Sequence, residues 1–374
     1  MYGRPAPRRA VLAAFAVGWL LQMVQVVMVD DYTWVGQHSA QFGAGVVVWL
    51  FATWPKSRMF VRVVVLAVAI CLPMAYIAHL LGVLPGPSIP PGQRSGLWFV
   101  NPNLLGIAIV SSTALASLLI TRARWLTVPL WVLAGTITVA MLSRAALVAA
   151  ILGLSSWGWT RFRGVSRVWF MVSAAALVLL AGVFVAHGPE PISETFGPQT
   201  RERFTGGSVA DPAGSGGVFA RLRANGAALQ LISLSWPWGV GAHRFGDAYL
   251  AAIAPEAPHA LGHAHNQVLN LLAEGGVFGL LAWTLPLCVA LWGLGRRAWW
   301  FLVPMVVVQA VFWISESPFL FAGAFYATWV ALGAARQVAV GSWDPGHTAS
   351  SSLEAVLERG GGERESRFQP DPGV

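Results

Sequence analysis

Immediately before a long apolar run stands His263-Ala264-His265-Asn266. A histidine at such a boundary titrates near neutral pH and can act as a general base. The plainer role is a solvated loop histidine, with Asn266 as the N-cap of the following helix. His243, His259, His263 and His265 also lie close in sequence. A separation of two residues is not a helical ligand pair, and no firm carboxylate partner accompanies it, so no metal site is assigned.

Cations come next. Ser143-Arg144 stands at the outer end of the fifth apolar run, where an arginine either faces a cavity or anion, or snorkels to headgroups. Arg221-Leu222-Arg223 opens a shorter helical pattern. Residues two apart point to nearly opposite faces of a helix, so Arg221 and Arg223 cannot both aim at one site. Arginine donates a fork of hydrogen bonds suited to phosphate, so the ligand is a pyrophosphate lipid or an ordinary anionic headgroup. Weaker signals are Asp30-Asp31, Glu274 and Glu316. The paired aspartates could hold a divalent metal or simply mark a solvated helix end. Glu274 and Glu316 could orient a histidine or mark a helix end. No Gly-rich phosphate loop follows a strand, and no nucleophile elbow or serine–lysine motif is present, so cytosolic nucleotide chemistry is not supported.

The elements that must position these groups are membrane helices. The chain is 56% hydrophobic and 11% charged, against about 25% charged for soluble domains. That deficit is too large for a watery surface, and 19 Trp suit a headgroup boundary. A span needs about 20 mostly apolar residues, and ten candidates follow: 10–29, 41–54, 60–84, 104–120, 125–142, 145–158, 168–186, 267–294, 299–315 and 319–338. The first reads as a retained helix rather than a cleaved leader, because no small-residue cleavage site precedes Asp30. With the N-terminus in the cytoplasm, most of the 24 Lys and Arg fall on the cytoplasmic side, as the positive-inside rule requires. The net charge of +8 is therefore a topology signal, not a nucleic-acid patch. Cys71 and Cys288 fall within spans and read as packing residues.

The expected fold is all-α: a polytopic integral membrane protein of about ten transmembrane helices with one long extracytoplasmic loop. Residues 1–186 form an N-terminal bundle of about seven helices. Residues 187–266 are the loop, irregular over 188–217, then helical over 218–235. Residues 267–338 supply about three more helices, and 339–374 form a disordered cytoplasmic tail. This topology puts the histidines, Arg144, Arg221 and Arg223 on the extracytoplasmic side.

Motif spacing adds a family resemblance. His265-Asn266-Gln267-Val268-Leu269, with Leu272-Ala273-Glu274-Gly275-Gly276 and Gly279-Leu280, resembles the signature of the O-antigen ligase and polymerase family. Arg221-Leu222, Ala227-Ala228-Leu229, Pro237, Gly239-Val240-Gly241 and Phe245 agree in order and spacing, as do Ser143-Arg144 and Asn101-Pro102-Asn103. Asn225 and Arg244 depart from the pattern, where many relatives carry an aromatic residue and Asn. The resemblance implies an inverting glycosyltransferase of the bacterial inner membrane, using no cofactor, metal or nucleotide sugar. Its donor would be an undecaprenyl-pyrophosphate-linked glycan, and its acceptor a sugar or a lipid A-core-like surface glycan. His265 would be the base, Arg144 and Arg221 would bind pyrophosphate, and His263, Asn266, Glu274 and Arg223 would support them. Within the family, ligase, repeat-unit polymerase and protein O-oligosaccharyltransferase remain open. A transporter or flippase would place its polar groups at the midplane, in broken helices arranged as repeats. A metal-dependent transferase would rest on Asp30-Asp31.

Overall fold

Where no water satisfies backbone N–H and C=O groups, a long apolar run must close its hydrogen bonds internally, as a helix. The computed structural model describes residues 7–30, 35–81, 102–120, 124–162 (except 142), 218–255, 262–315 and 322–341, with a few isolated positions between them. Among these are eleven α-helices and no strand. They are α1 (Arg8–Val29), α2 (Val35–Thr53), α3 (Arg58–Leu80), α4 (Pro102–Leu119), α5 (Arg124–Ala140) and α6 (Arg144–Arg161). There follow α7 (Val218–Ser235), α8 (Phe245–Ala252), α9 (Gln267–Leu291), α10 (Arg296–Ser315) and α11 (Ala322–Ala339). Four stretches are long and apolar enough to cross a membrane, by length and composition: α1, Pro55–His79 (α3 to its penultimate residue), α9 and α10. Most of the expected seventh span, the loop 188–217, Asp31, Asn101, His259, Glu316 and the tail beyond 341 lie outside the described residues.

Two helices are longer than the apolar runs that announce them. The run 41–54 belongs to a helix beginning at Val35, and 145–158 to one running from Arg144 to Arg161. In α2 the added residues 35–40 carry Gln37, His38 and Ser39, which lower the hydropathy, yet His38 is buried against the rest of the bundle. The cysteines correct the reading above: both Cys71 and Cys288 are exposed on the bundle's exterior. Leu20, Val24 and Val27 of α1 and Val63 and Ile70 of α3 are exposed beside them in type. In a membrane an apolar residue gains as much facing lipid as facing core, so an apolar run does not imply burial.

Small residues bring the helices close. A Cβ on Gly18 would lie 2.5 Å from the Ala282 carbonyl oxygen, so α1 and α9 cross almost backbone to backbone. Gly333 of α11 meets Ala52 of α2 in the same way. Helix α10 lies against α6, α4 and α11, and Gln309 donates to Ser111 Oγ of α4 at 3.1 Å. At one end of the bundle Arg8 donates to the Thr53 carbonyl, and Arg58 to Gln337 Oε1 at 2.6 Å. The histidines and Glu274 sit toward the opposite ends of α1, α2 and α9.

Helix α9 is broken at Gly276, where φ is 61° and ψ is −157°. The segment following α7 fills the break. Val240 donates to the Ala273 carbonyl, Gly241 to the Glu274 carbonyl, and Val277 to the Pro237 carbonyl, each at 2.9 Å. Groups that the helix releases are thereby satisfied by another part of the chain, which is how irregular backbone survives in an apolar setting. The approach demands glycine on both sides. A Cβ on Gly276 would lie 1.9 Å from the Pro237 oxygen, and one on Gly239 (φ 79°) would lie 2.4 Å from the Glu274 oxygen.

Candidate functional site

The histidine loop is held by the first turns of α9. Asn266 caps the helix, its side-chain oxygen accepting from Val268 N at 3.0 Å and Leu269 N at 3.1 Å. Just before it, His265 adopts a left-handed conformation with φ 49°, uncommon for a residue with a side chain. The His263 and His265 rings lie 4.3 Å apart between centroids.

Behind the loop runs a buried line of hydrogen bonds. The Ala264 N–H donates to Asn270 Oδ1 at 3.1 Å. Asn270 Nδ2 in turn donates to Glu274 Oε2 at 3.0 Å. The Glu274 carboxylate also accepts the Phe245 N–H, at 3.4 Å to Oε1, and the His243 N–H. From α1, Gln25 Nε2 donates to the Glu274 carbonyl at 3.2 Å. Both ends of the Asn270 amide are used, so this one side chain clamps the histidine loop to the α7–α8 connector. His243 is itself left-handed, with φ 58°, and burial holds its imidazole below the ordinary histidine range.

Helix α7 lies along α9. Ala227, Ala228 and Leu231 pack with Ala264 and Ala273 in a small apolar cluster under Phe245 and Tyr249 of α8. Arg221 and Arg223 flank opposite edges of that stripe, the first half-buried and the second exposed. Arg144 is the first residue of α6, so it opens the sixth helix where the sequence placed it at the end of the fifth. Its neighbour Ser143 is buried at the N-cap position without a hydrogen bond from Oγ. Helix α6 packs against α10, α5 and α4, so the two arginines enter from different elements. Asp30 is the left-handed C-cap of α1, its N–H returning to the carbonyls of Val26 and Val27, which is the helix-end role.

His263 and His265 thus flank Ala264, whose N–H is tied through Asn270 to Glu274, and Asn266 caps the helix that carries both. Sequence reasoning passed over Asn270, Gln25 and His38, and weighed His243 only as a metal ligand. For Asn270 a signal was present: Asn266, Asn270 and Glu274 recur every four residues on an otherwise apolar helix, a polar line along one face.

The family model described as O-antigen ligase matches residues 128–284, under half of the chain. That stretch runs from α5 to the middle of α9 and includes Arg144, Arg221, Arg223, His263, His265, Asn266 and Glu274. The match agrees with the motif resemblance. No curated protein matches the chain.

Proposed function

We propose that this chain is an O-antigen ligase-like glycosyltransferase, moving a glycan from undecaprenyl pyrophosphate to a sugar hydroxyl outside the cytoplasmic membrane. His265 takes the proton of the acceptor hydroxyl. The acceptor oxygen attacks the anomeric carbon from the face opposite the leaving group, and the bond from that carbon to the pyrophosphate oxygen breaks with inversion. Undecaprenyl pyrophosphate departs with the electron pair, and Arg144 and Arg221 balance its growing charge. No cofactor, metal or nucleotide sugar enters the reaction.

The observation that carries this reading is the buried clamp from Glu274 through Asn270 to Ala264, which fixes the His265 backbone. A solvated loop histidine needs no such support, whereas a general base must be held in reach of one proton.

The break in α9 favours a second reading, because transporters use discontinuous helices to expose backbone groups to a substrate. Here the released groups at Ala273, Glu274 and Val277 are taken up by residues 237–241. This leaves the break serving the site's architecture, and the transferase reading is preferred.

The test is a deletion strain complemented with wild type or His265→Asn, scored for surface glycan and lipid-linked glycan. Asparagine tolerates the left-handed backbone, so expression should hold. The expected result is loss of transfer, with long chains on the carrier for a ligase and single repeat units for a polymerase. Full transfer by a stably expressed variant, or loss only with Asp30→Asn and Asp31→Asn together, would overturn the assignment.

A further inference from the structure

Arginines gather around the last turn of α2, at the end of the bundle opposite the histidines, and no step above uses them. Arg8, at the start of α1, donates to the Thr53 carbonyl. Arg58, at the start of α3, donates to Gln337 Oε1 at 2.6 Å, and Gln337 Nε2 donates to the Ala52 carbonyl. Arg336 precedes Gln337 on α11 and lies close enough to Arg8 for the two charges to repel. Arg58 and Arg336 are half-buried, so water does not fully screen either charge.

Capping α2 does not account for these cations. A helix C-terminus carries only about half a negative charge. Helices α2 and α11 end here while α1 and α3 begin here, so their terminal charges cancel. The carboxylates among the described residues are Asp30, Asp247 and Glu274, all toward the other end: Asp30 closes α1, Asp247 is on α8 and Glu274 belongs to the clamp. The capping bonds of Arg8 and Arg58 each engage one nitrogen of a guanidinium that carries five N–H donors. The remaining donors suit phosphate oxygens, which arginine holds through a fork of hydrogen bonds.

The surroundings say which phosphate. Phe51, Trp54, Met59 and Phe60 are exposed beside the arginines, and the Phe51 and Phe60 rings meet edge to face at 5.5 Å. Val47 on α2 and Val63 on α3, each one turn further along the same face, continue that apolar surface toward the middle of the bundle. A free phosphate makes no use of such a rim. A phospholipid does, because its headgroup meets the cations while its chains meet the apolar side chains.

We propose that Arg8, Arg58 and Arg336 bind the phosphate of an anionic phospholipid in the leaflet at this end of the bundle, with its acyl chains against Phe51, Trp54 and Phe60. On the topology expected from the sequence, that is the cytoplasmic leaflet. All of these residues lie outside residues 128–284, so the site goes beyond the family match and does not depend on the glycosyl-transfer reading.

The experiment uses the full chain, purified in detergent, with phosphatidylglycerol, phosphatidylcholine and glycerol 3-phosphate as probes. Native mass spectrometry reads binding. A photoreactive phosphatidylglycerol, with its reactive group near the top of one acyl chain, reads the place. Wild type should retain phosphatidylglycerol over phosphatidylcholine, and the label should fall within residues 51–60. Arg8→Gln and Arg336→Gln should each lower the preference about fivefold, and the pair about 25-fold, the worth of one and of two cations near a membrane surface. Arg296→Gln removes an exposed cation at the same end and should leave the preference nearly unchanged. An equal loss in Arg296→Gln would mean that net charge alone attracts the lipid, and would overturn the site. So would labelling outside residues 51–60, or a preference unmoved in both Arg8→Gln and Arg336→Gln. Glycerol 3-phosphate binding as tightly as phosphatidylglycerol would make this a soluble-phosphate site and overturn the lipid assignment. Equal retention of the two lipids by wild type would leave the cations to other anions, such as the carboxylates of residues 342–374, and overturn it too. The labelling reads wild type alone, so it decides the matter even where a variant fails to fold.

Discussion

Replacing Gly276 with alanine should dismantle the splice on which the site rests. The added Cβ would begin 1.9 Å from the Pro237 oxygen, where real contacts stay beyond 3.0 Å, so the inserted segment must retreat by more than about 1 Å. That motion breaks the three bonds from Val240, Gly241 and Val277. At about 1 kcal/mol each their loss costs about 3 kcal/mol. Holding alanine at φ 61°, ψ −157° adds about 1–3 kcal/mol. The sum, about 4–6 kcal/mol, is among the largest effects of a single substitution. Gly275→Ala is the matched control. A Cβ there meets nothing within 4 Å, and alanine is the better helix former, so its cost should be near zero. Melting of the purified protein in detergent gives the comparison, and hydrogen exchange at residues 237–241 and 273–277 locates it. Gly276→Ala should melt far below wild type and exchange rapidly across the break. If it proves as stable as Gly275→Ala, the splice does not hold α9 together and the argument fails.

Asn270→Ala should leave the Ala264 N–H and a Glu274 oxygen without partners, costing about 1–3 kcal/mol for each. Because the clamp fixes the base and touches no substrate, kcat should fall about 10- to 100-fold with the donor KM nearly constant; an unchanged kcat would remove the positioning role. Arg221→Ala should reduce transfer more than Arg223→Ala, since the first is half-buried and the second exposed. Equal losses in a membrane transfer assay would refute the division of roles between the two edges of α7.

Helix positions were legible wherever hydropathy and a terminating signal coincide. The loop helix 218–235 is observed at those bounds, because Trp236-Pro237-Trp238-Gly239 stops it sharply. Helix α2 was read short because hydropathy counts a glutamine or histidine against a span wherever it points. Only the tertiary arrangement turns His38 inward, beside α9 and the α7–α8 connector. The same blindness hid the break at Gly276. A Gly-Gly pair in an apolar run reads as close packing, and the partner that enters the break comes from a segment 33 or more residues earlier. Local pattern carries no record of a contact made across that separation.

The candidate site divides along the same line. His265, Arg144 and Arg221 were singled out from the chain because each is a titratable or charged group at the edge of an apolar or helical run. Their supports were found only in part, since Glu274 broke the pattern and Asn270 resembled an ordinary polar residue near a helix end. The surroundings of His38 were not legible at all. They come from α1, α2 and α9, and leave both of its ring nitrogens without a hydrogen-bond partner. That is a property of surroundings rather than of residue type.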